Sequence, residues 1–397
     1  MSTPNLLDSQ KGAVSKLSKL KVGALYMDAG TGKTRSALEI LKTVPELKYI
    51  LWLTPYRTKQ NLRDELLKWG CTDADIVGIE TISSSDREYL RLHNKLTQFG
   101  KSAAVVVDES LKIKNIEAKR TKRITDLGKL AEYRLILNGT PVSRNLLDVW
   151  AQMEFLSPKI LKMNFAEFKN TFCEYTVMSR RIAGRTVSKR EWINKYHNVQ
   201  HLYNLIKPYV YECDLDLQVG KQYIDVDFRL SRTETERYNE IKEHFLNPEK
   251  LLMLNNNIFL RMTQKMQHVY TNSEEKYQFL DRFLRENDSK KVLIFRKYID
   301  ADLELKRRYP NLRTLSIQSE SMGLNLQNYD TIILWDKVWD YALIKQMEHR
   351  IWRIGQKNTC RFINLNANVG LDKMMIKSAV KKRDVLKFFK KTVINNL

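Results

Sequence analysis

Met27-Asp28-Ala29-Gly30-Thr31-Gly32-Lys33-Thr34 lies between two segments of different periodicity. Before it, Val22-Gly23-Ala24-Leu25-Tyr26 is short, apolar and suited to a strand. After it, Arg35-Ser36-Ala37-Leu38-Glu39-Ile40-Leu41 spaces its apolar residues as a helix does. Strand, glycine-bearing loop and helix together are the context of a phosphate-binding loop. The glycines let the backbone curl so that successive N–H groups aim at one anion. The positive end of the following helix adds to that attraction. Lys33 is placed to reach the β- and γ-phosphates of ATP, and the Thr34 hydroxyl to ligate Mg²⁺. Met27 stands where the general pattern G-x-x-x-x-G-K-[ST] has its first glycine. A chance glycine-rich turn is the plain alternative, and the flanking strand and helix argue against it.

Working outward, Tyr49–Leu53 reads as a buried strand ending at Thr54-Pro55, followed by a helix over about Lys59–Trp69. Ile76–Ile82 is a weaker strand with Thr81 at its end. Ala103-Ala104-Val105-Val106-Val107 is all apolar, the pattern of a strand covered on both faces, and stops at Asp108-Glu109. Arg134–Leu137 is another, stopping at Asn138-Gly139-Thr140-Pro141. Strands alternating with helices imply an α/β fold with a parallel sheet, whose ligands sit at the carboxyl ends of the strands. Phosphoryl transfer needs one carboxylate near the metal and one group orienting the attacking water. Asp108 suits the first role and Glu109 the second. Alone, such a pair is more often a solvated turn; beside a phosphate loop it reads as functional.

Length and composition bound the rest. With 397 residues, 43% hydrophobic and 29% charged, two or three globular domains are expected. Lysine and arginine exceed aspartate and glutamate by 68 − 46 = 22 charges, and polyphosphate backbones are the usual partner of such an excess. Charge alone leaves solubility or an anionic membrane surface open. No long uncharged apolar run suggests a membrane span. The first ten residues lack a secretory pattern, and Cys71, Cys173, Cys213 and Cys360 form no C-x-x-C pair, so a reducing cytoplasm is expected.

Beyond Leu156 the character changes. Phe165–Tyr211 is aromatic, basic and reads as mostly helical, with Arg180-Arg181 and Lys189-Arg190 in polar turns around Gly184. Arg180, Arg181, Arg185, Lys189 and Arg190 form either a protrusion facing a polyphosphate backbone or a solvated basic turn. Leu215–Phe228 looks extended, as a linker would. Thr233–Asn287 is helical and polar. Lys291–Phe295, Thr331–Leu334 and Arg361–Leu365 are a second set of strand patterns. A basic helix follows, with Leu371, Met374, Met375, Ser378 and Ala379 on one stripe and Lys377, Lys381, Lys382 and Arg383 beside it. The expected architecture is two α/β lobes with parallel sheets flanked by helices: residues 1–156, a helical insertion over 157–214, a linker over 215–230, and a second lobe over 231–397. In Gln346–Gln356, Arg350 and Arg353 fall at i and i+3, one face if the segment is helical. Such guanidinium groups stabilise the charge of phosphoryl transfer, although a solvated basic helix is the commoner meaning of R-x-x-R.

Taken in order, these stretches resemble helicase superfamily 2, and within it the Swi/Snf-type DNA-dependent ATPases built from two RecA-like lobes. Gln10, followed by Gly12, resembles the adenine-reading glutamine. Asp28–Thr34 resembles the loop D-E-M-G-L-G-K-T, with Ala29 and Thr31 substituted. Leu53-Thr54-Pro55 with Asn61, Glu65 and Trp69 resembles the first strand-contacting motif. Asp108-Glu109-Ser110-Leu111-Lys112-Ile113-Lys114-Asn115 resembles D-E-A-H-x-I-K-N, with Ser110 and Leu111 substituted. Asn138–Trp150 resembles T-G-T-P-I-x-N-N-L-x-E-L-W. Leu315–Gln327 resembles S-T-x-A-G-G-x-G-x-N-L, with Glu320-Ser321 in place of the glycine pair before Gly323. Trp339 and Gln346–Gln356 resemble the final motif, Q-A-x-x-R-x-x-R-I-G-Q. Tyr211-Glu212-Cys213 replaces the usual arginines after Lys207-Pro208-Tyr209, and Phe295–Leu315 is too short for the full set of second-lobe elements.

The resemblance implies ATP and Mg²⁺ as cofactors. ATP is bound by Gln10, Asp28, Ala29, Gly30, Thr31, Gly32, Lys33, Thr34, Gly323 and Gln346. Thr34 and Asp108 hold the metal, and Lys33, Glu109, Arg350 and Arg353 act in catalysis. It implies double-stranded DNA, gripped through its backbone without sequence specificity by Thr54, Pro55, Thr140, Asn145, Gln318, Asn325 and Trp339. The implied activity is translocation along DNA. An unwinding helicase on DNA or RNA, and a non-hydrolysing nucleic-acid-binding module with a relic ATP site, are the alternatives. Stripped members of this kind look viral or bacterial.

Overall fold

The apolar runs before Asp28 and Glu109 do become strands of one sheet. A computed structural model describes residues 5–142, 146–182, 185–246, 256–317, 326–353, 355–378 and 380. The chain divides into two compact units, the first running to Leu215 and the second opening at Asp216.

In the first unit, β1 (Val22–Met27), β2 (Tyr49–Thr54), β3 (Asp75–Gly78), β4 (Ala103–Asp108) and β5 (Tyr133–Asn138) are joined through helices. The helices are α1 (Asp8–Leu17), α2 (Lys33–Lys42), α3 (Lys59–Lys68), α4 (Ile79–Ser84), α5 (Asp86–Phe99), α6 (Lys119–Leu130) and α7 (Asp148–Leu156). The strands pair in parallel in the order β3-β2-β4-β5-β1, which requires crossovers and brings all their carboxyl ends to one edge. Ala103 through Val107 are fully buried, as a strand covered on both faces demands. Leu25, Leu137 and Asp108 share one row across β1, β5 and β4, so phosphate loop and carboxylates leave the sheet at nearly the same height.

Two local expectations are corrected here. The strand predicted over Ile76–Ile82 stops at Gly78; Ile79 and Ile82, three apart and both buried, continue as α4, which takes Thr81 with them. The segment expected to be mostly helical has helices at Phe165–Phe172 and Val199–Ile206, but between them β6 (Cys173–Ile182) and β7 (Arg185–Tyr196) form an antiparallel ribbon. The cross-strand pair of Tyr175 with Ile193, an aromatic opposite a β-branched residue, favours that pleat over a helix. Gly184 lies outside the described residues. A short strand, β8 (Val210–Cys213), then adds to β1.

The second unit holds a five-stranded parallel sheet in the order β11-β10-β12-β13-β9. Its strands are β9 (Lys221–Phe228), β10 (Val292–Arg296), β11 (Arg313–Ser316), β12 (Thr331–Leu334) and β13 (Cys360–Ala367). Much of the expected linker is therefore an edge strand. Ile224, Val226 and Phe228 turn inward while Asp225 and Asp227 accept from Asn364 and Asn366 of β13, a period of two. Helices Arg232–Leu246, Asn256–Val269 and Glu274–Glu286 match the helical reading of that stretch. Leu371 and Met375 of the helix over 370–378 are buried, but Met374 is 45% exposed, so the stripe is narrower than its spacing suggested. Ala379, Lys381, Lys382 and Arg383 lie outside the described residues. Among the described residues no helix is long and apolar enough to cross a membrane, and no group of side chains forms a metal cluster.

Candidate nucleotide-binding site

The carboxyl edge of the first sheet gathers the motif residues of that unit. After β1 the backbone turns through Gly30 (φ 94°) and Gly32 (φ 86°), both left-handed, and enters α2 with Lys33 as its first residue and no side-chain cap. A helix that opens without a side-chain cap is suited to receive an anion at its first turn. The Thr31 hydroxyl ties the loop shut by donating to the Asp28 carbonyl at 2.7 Å. Gln10, only 4% exposed, lies against the loop: its amide donates to the Thr31 carbonyl at 3.3 Å and accepts from the Leu7 N–H at 3.1 Å. A Cβ at Gly32 would land on that amide nitrogen. The Asp28 carboxylate accepts from the Leu215 N–H at 3.1 Å and its N–H donates to the Cys213 carbonyl at 2.9 Å, so β8 holds the start of the loop.

Across the edge, Asp108 ends β4 and Glu109 follows at φ 52°, a left-handed conformation that a side-chain-bearing residue adopts at a cost. The Glu109 N–H donates to Asp108 Oδ1 at 2.9 Å and the Thr54 hydroxyl to Oδ2 at 3.3 Å. Burial pushes the Asp108 carboxyl up to about 7, the Glu109 charge adds to the rise, and the Lys33 ammonium opposes it. A crowded anionic pair beside a phosphate loop is a donor set that suits a hard divalent cation.

Other expected contacts fare differently. Thr54 is fully buried, turned to Asp108 and to Thr58 at 2.8 Å, and Pro55 is buried beside it. The exposed residue at that strand end is Tyr56, at 63%. The Thr140 hydroxyl donates to the Val142 carbonyl at 3.0 Å. Asn145, Gln318, Glu320, Ser321, Gly323 and Asn325 lie outside the described residues. In the second unit, Trp339 packs against Phe259 at 6.2 Å between ring centroids. Gln346 and Arg350 lie on the helix Tyr341–Ile351, and Arg350 is 8% exposed. Arg353 falls two residues beyond that helix. The Trp352 indole N–H is held by the Val219 carbonyl at 2.9 Å, and Gly355 turns left-handed at φ 98°, which ends the helix early. Gln356 fastens the turn, donating to the carbonyls of Gln327, Tyr329 and Ile351.

Sequence reading missed Gln152 of α7, a buried amide that bonds to Ser110 and to the Pro141 carbonyl. An uncharged polar residue among Val149, Ala151, Met153, Phe155 and Leu156, in a stretch whose one charge is Glu154, was the available signal.

A family model described as SNF2-related domain matches residues 34–311. The chain belongs to this SNF2-related family. It is 25% identical to the transcription regulatory protein SNF2 of Saccharomyces cerevisiae, over 91% of this chain and 26% of that protein. It is 21% identical to the ATP-dependent DNA helicase DDM1 of Arabidopsis thaliana, over 87% of this chain and 52% of that one. The chain thus spans about a quarter to a half of the length of these curated relatives. Among solved structures, the Sulfolobus solfataricus SWI2/SNF2 ATPase core in complex with dsDNA is 19% identical, with a TM-score of 0.45, covering 97% of this chain and 92% of that one.

Proposed function

We propose that this chain is an ATP-driven translocase on double-stranded DNA. The observation that carries the reading is that the phosphate loop after β1 and the Asp108–Glu109 turn after β4 leave one sheet edge in the same row, in a chain of the SNF2-related family. Lys33 and the N–H groups opening α2 bind the triphosphate, and Gln10 closes the loop from outside. Thr34 and Asp108 would hold Mg²⁺, which when bound screens phosphate charge. Glu109 accepts a proton from the attacking water, held in its strained turn by Asp108. Arg350 and Arg353 stabilise the charge of the transferring phosphoryl group. Gly323 and Gln346 belong to the same ATP site, and Thr140, Asn145, Gln318 and Asn325 to the grip on the DNA backbone. DNA is held by its phosphates, so binding is sequence-independent and falls steeply with salt. The lack of paired cysteine motifs supports a reducing cytoplasm as its place of action.

ATP turnover with and without duplex DNA tests this in wild type, Lys33→Ala and Glu109→Gln. DNA should raise wild-type turnover and neither variant's. Equal turnover by all three with DNA present rejects the motor. Triplex displacement without duplex unwinding separates translocation from the helicase alternative.

A further inference from the structure

Gln152 is fully buried, and its amide uses its whole hydrogen-bonding capacity. Its Oε1 accepts from the Ser110 hydroxyl at 2.7 Å and the Tyr26 hydroxyl at 3.3 Å. Its Nε2 donates to the carbonyls of Pro141 at 2.8 Å and Asp148 at 2.9 Å. Two carbonyls on one side demand the NH₂ there, which fixes the amide's orientation. Burial and the nearby Glu212 charge hold the Tyr26 hydroxyl above its ordinary range, so it stays a donor.

The three distant partners stand at three separate points of the catalytic edge. Tyr26 is one residue from the end of β1, which feeds the phosphate loop. Ser110 follows the strained Glu109. Pro141 follows Thr140. A left-handed non-glycine turn persists only where its surroundings over-determine it, and Gln152 grips the residue next to it. Ser110 stands where the motif it resembles has alanine, which could make no such bond. The chain has thus placed a hydroxyl and an amide together at a site where two apolar residues would have packed without polar demands.

We propose that Gln152 is a positioning residue that couples the Thr140-Pro141 loop to the Asp108–Glu109 turn, so that engagement of DNA at that loop sets the geometry of the water-activating carboxylate. This rests on the DNA-stimulated ATPase reading above. A displacement of Pro141 passes through one rigid amide to Ser110, without a flexible side chain in between. Gln152 does not touch the reacting atoms.

The test is DNA-free and DNA-stimulated turnover, KM for ATP and duplex affinity in wild type, Ser110→Ala, Gln152→Leu and the double variant. Ser110→Ala removes one hydroxyl and leaves Oε1 bonded to Tyr26, so it decides the question if Gln152→Leu fails to fold. The expected result is DNA-free turnover and KM for ATP within about twofold of wild type, with the stimulation ratio reduced about fivefold or more, as for an ordinary coupling energy. The double variant should be no worse than Gln152→Leu, because both break one link. Unchanged stimulation in Ser110→Ala overturns the proposal and leaves the motor reading standing. DNA-free and stimulated turnover falling by one factor, together with the thermal midpoint, overturns it as well, since that is a purely structural loss. Absence of DNA stimulation in wild type overturns both.

Discussion

Asp108→Asn should make the nucleotide-free protein more stable while abolishing its turnover, and the gain should grow with pH. The Asp108 carboxyl sits at about 7 against an ordinary 3.8, raised first by burial and then by the Glu109 charge. The sign follows from proton binding. Below about pH 4 the group is protonated in both folded and unfolded chains and contributes nothing. Between about 4 and 7 the unfolded chain ionises and the folded one does not, so folding is progressively penalised. Above about 7 the penalty is constant. A displacement of roughly three pH units caps it at ~4 kcal/mol. Asp108 is partly exposed and shares its charge problem with Glu109, so about 1–3 kcal/mol is expected. For a unit of this size that corresponds to a few degrees in thermal midpoint per kcal/mol. Thermal unfolding of wild type and Asp108→Asn at pH 5 and pH 8, without nucleotide or divalent ions, measures it. The stabilisation should be larger at pH 8 by about 1–2 kcal/mol. A gain as large at pH 5 as at pH 8 would refute the reasoning, because the carboxyl would then titrate normally.

Gly32→Ala should weaken ATP binding by tenfold or more, since left-handed backbone costs an alanine about 1–2 kcal/mol and its methyl meets Gln10. A fluorescent nucleotide titration reads this, and adding Gln10→Ala should recover only the crowding part. Arg350→Ala and Arg353→Ala should each lower kcat by about 10³ or more while ATP affinity moves only a few-fold; comparable loss of affinity would count against a role confined to the transition state. Lys276 is fully buried, within 3.3 Å of Asp336 and 2.8 Å of the Trp335 carbonyl. Lys276→Met should therefore cost about 3–5 kcal/mol in urea unfolding by leaving Asp336 unpaired. Removing the exposed Arg232–Glu236 pair should cost less than about 1 kcal/mol in the same assay.

The phosphate loop, the carboxylate pair and the alternation of strands with helices were legible because each is a local matter. A glycine turn between a strand and a helix, or an all-apolar pentapeptide such as Ala103–Val107, carries its conformation in its own composition. What composition could not carry was pairing. Lys221–Phe228 read as linker because its alternation is polar, and only β13 alongside makes it a strand. Cys173–Ile182 and Arg185–Tyr196 became a ribbon because each supplied the other's partners. Arg353 stands past the end of the helix that carries Arg350, where the Trp352 indole meets a carbonyl at Val219, more than a hundred positions away. Thr54, which reads as an outward-facing contact, was turned inward by a carboxylate from another strand. The sequence by itself determined which chemical groups are present and at which strand ends they stand. The tertiary structure alone decided which of them share a charge or a hydrogen bond, because those interactions act over a few ångströms and depend on neighbours that only folding brings together.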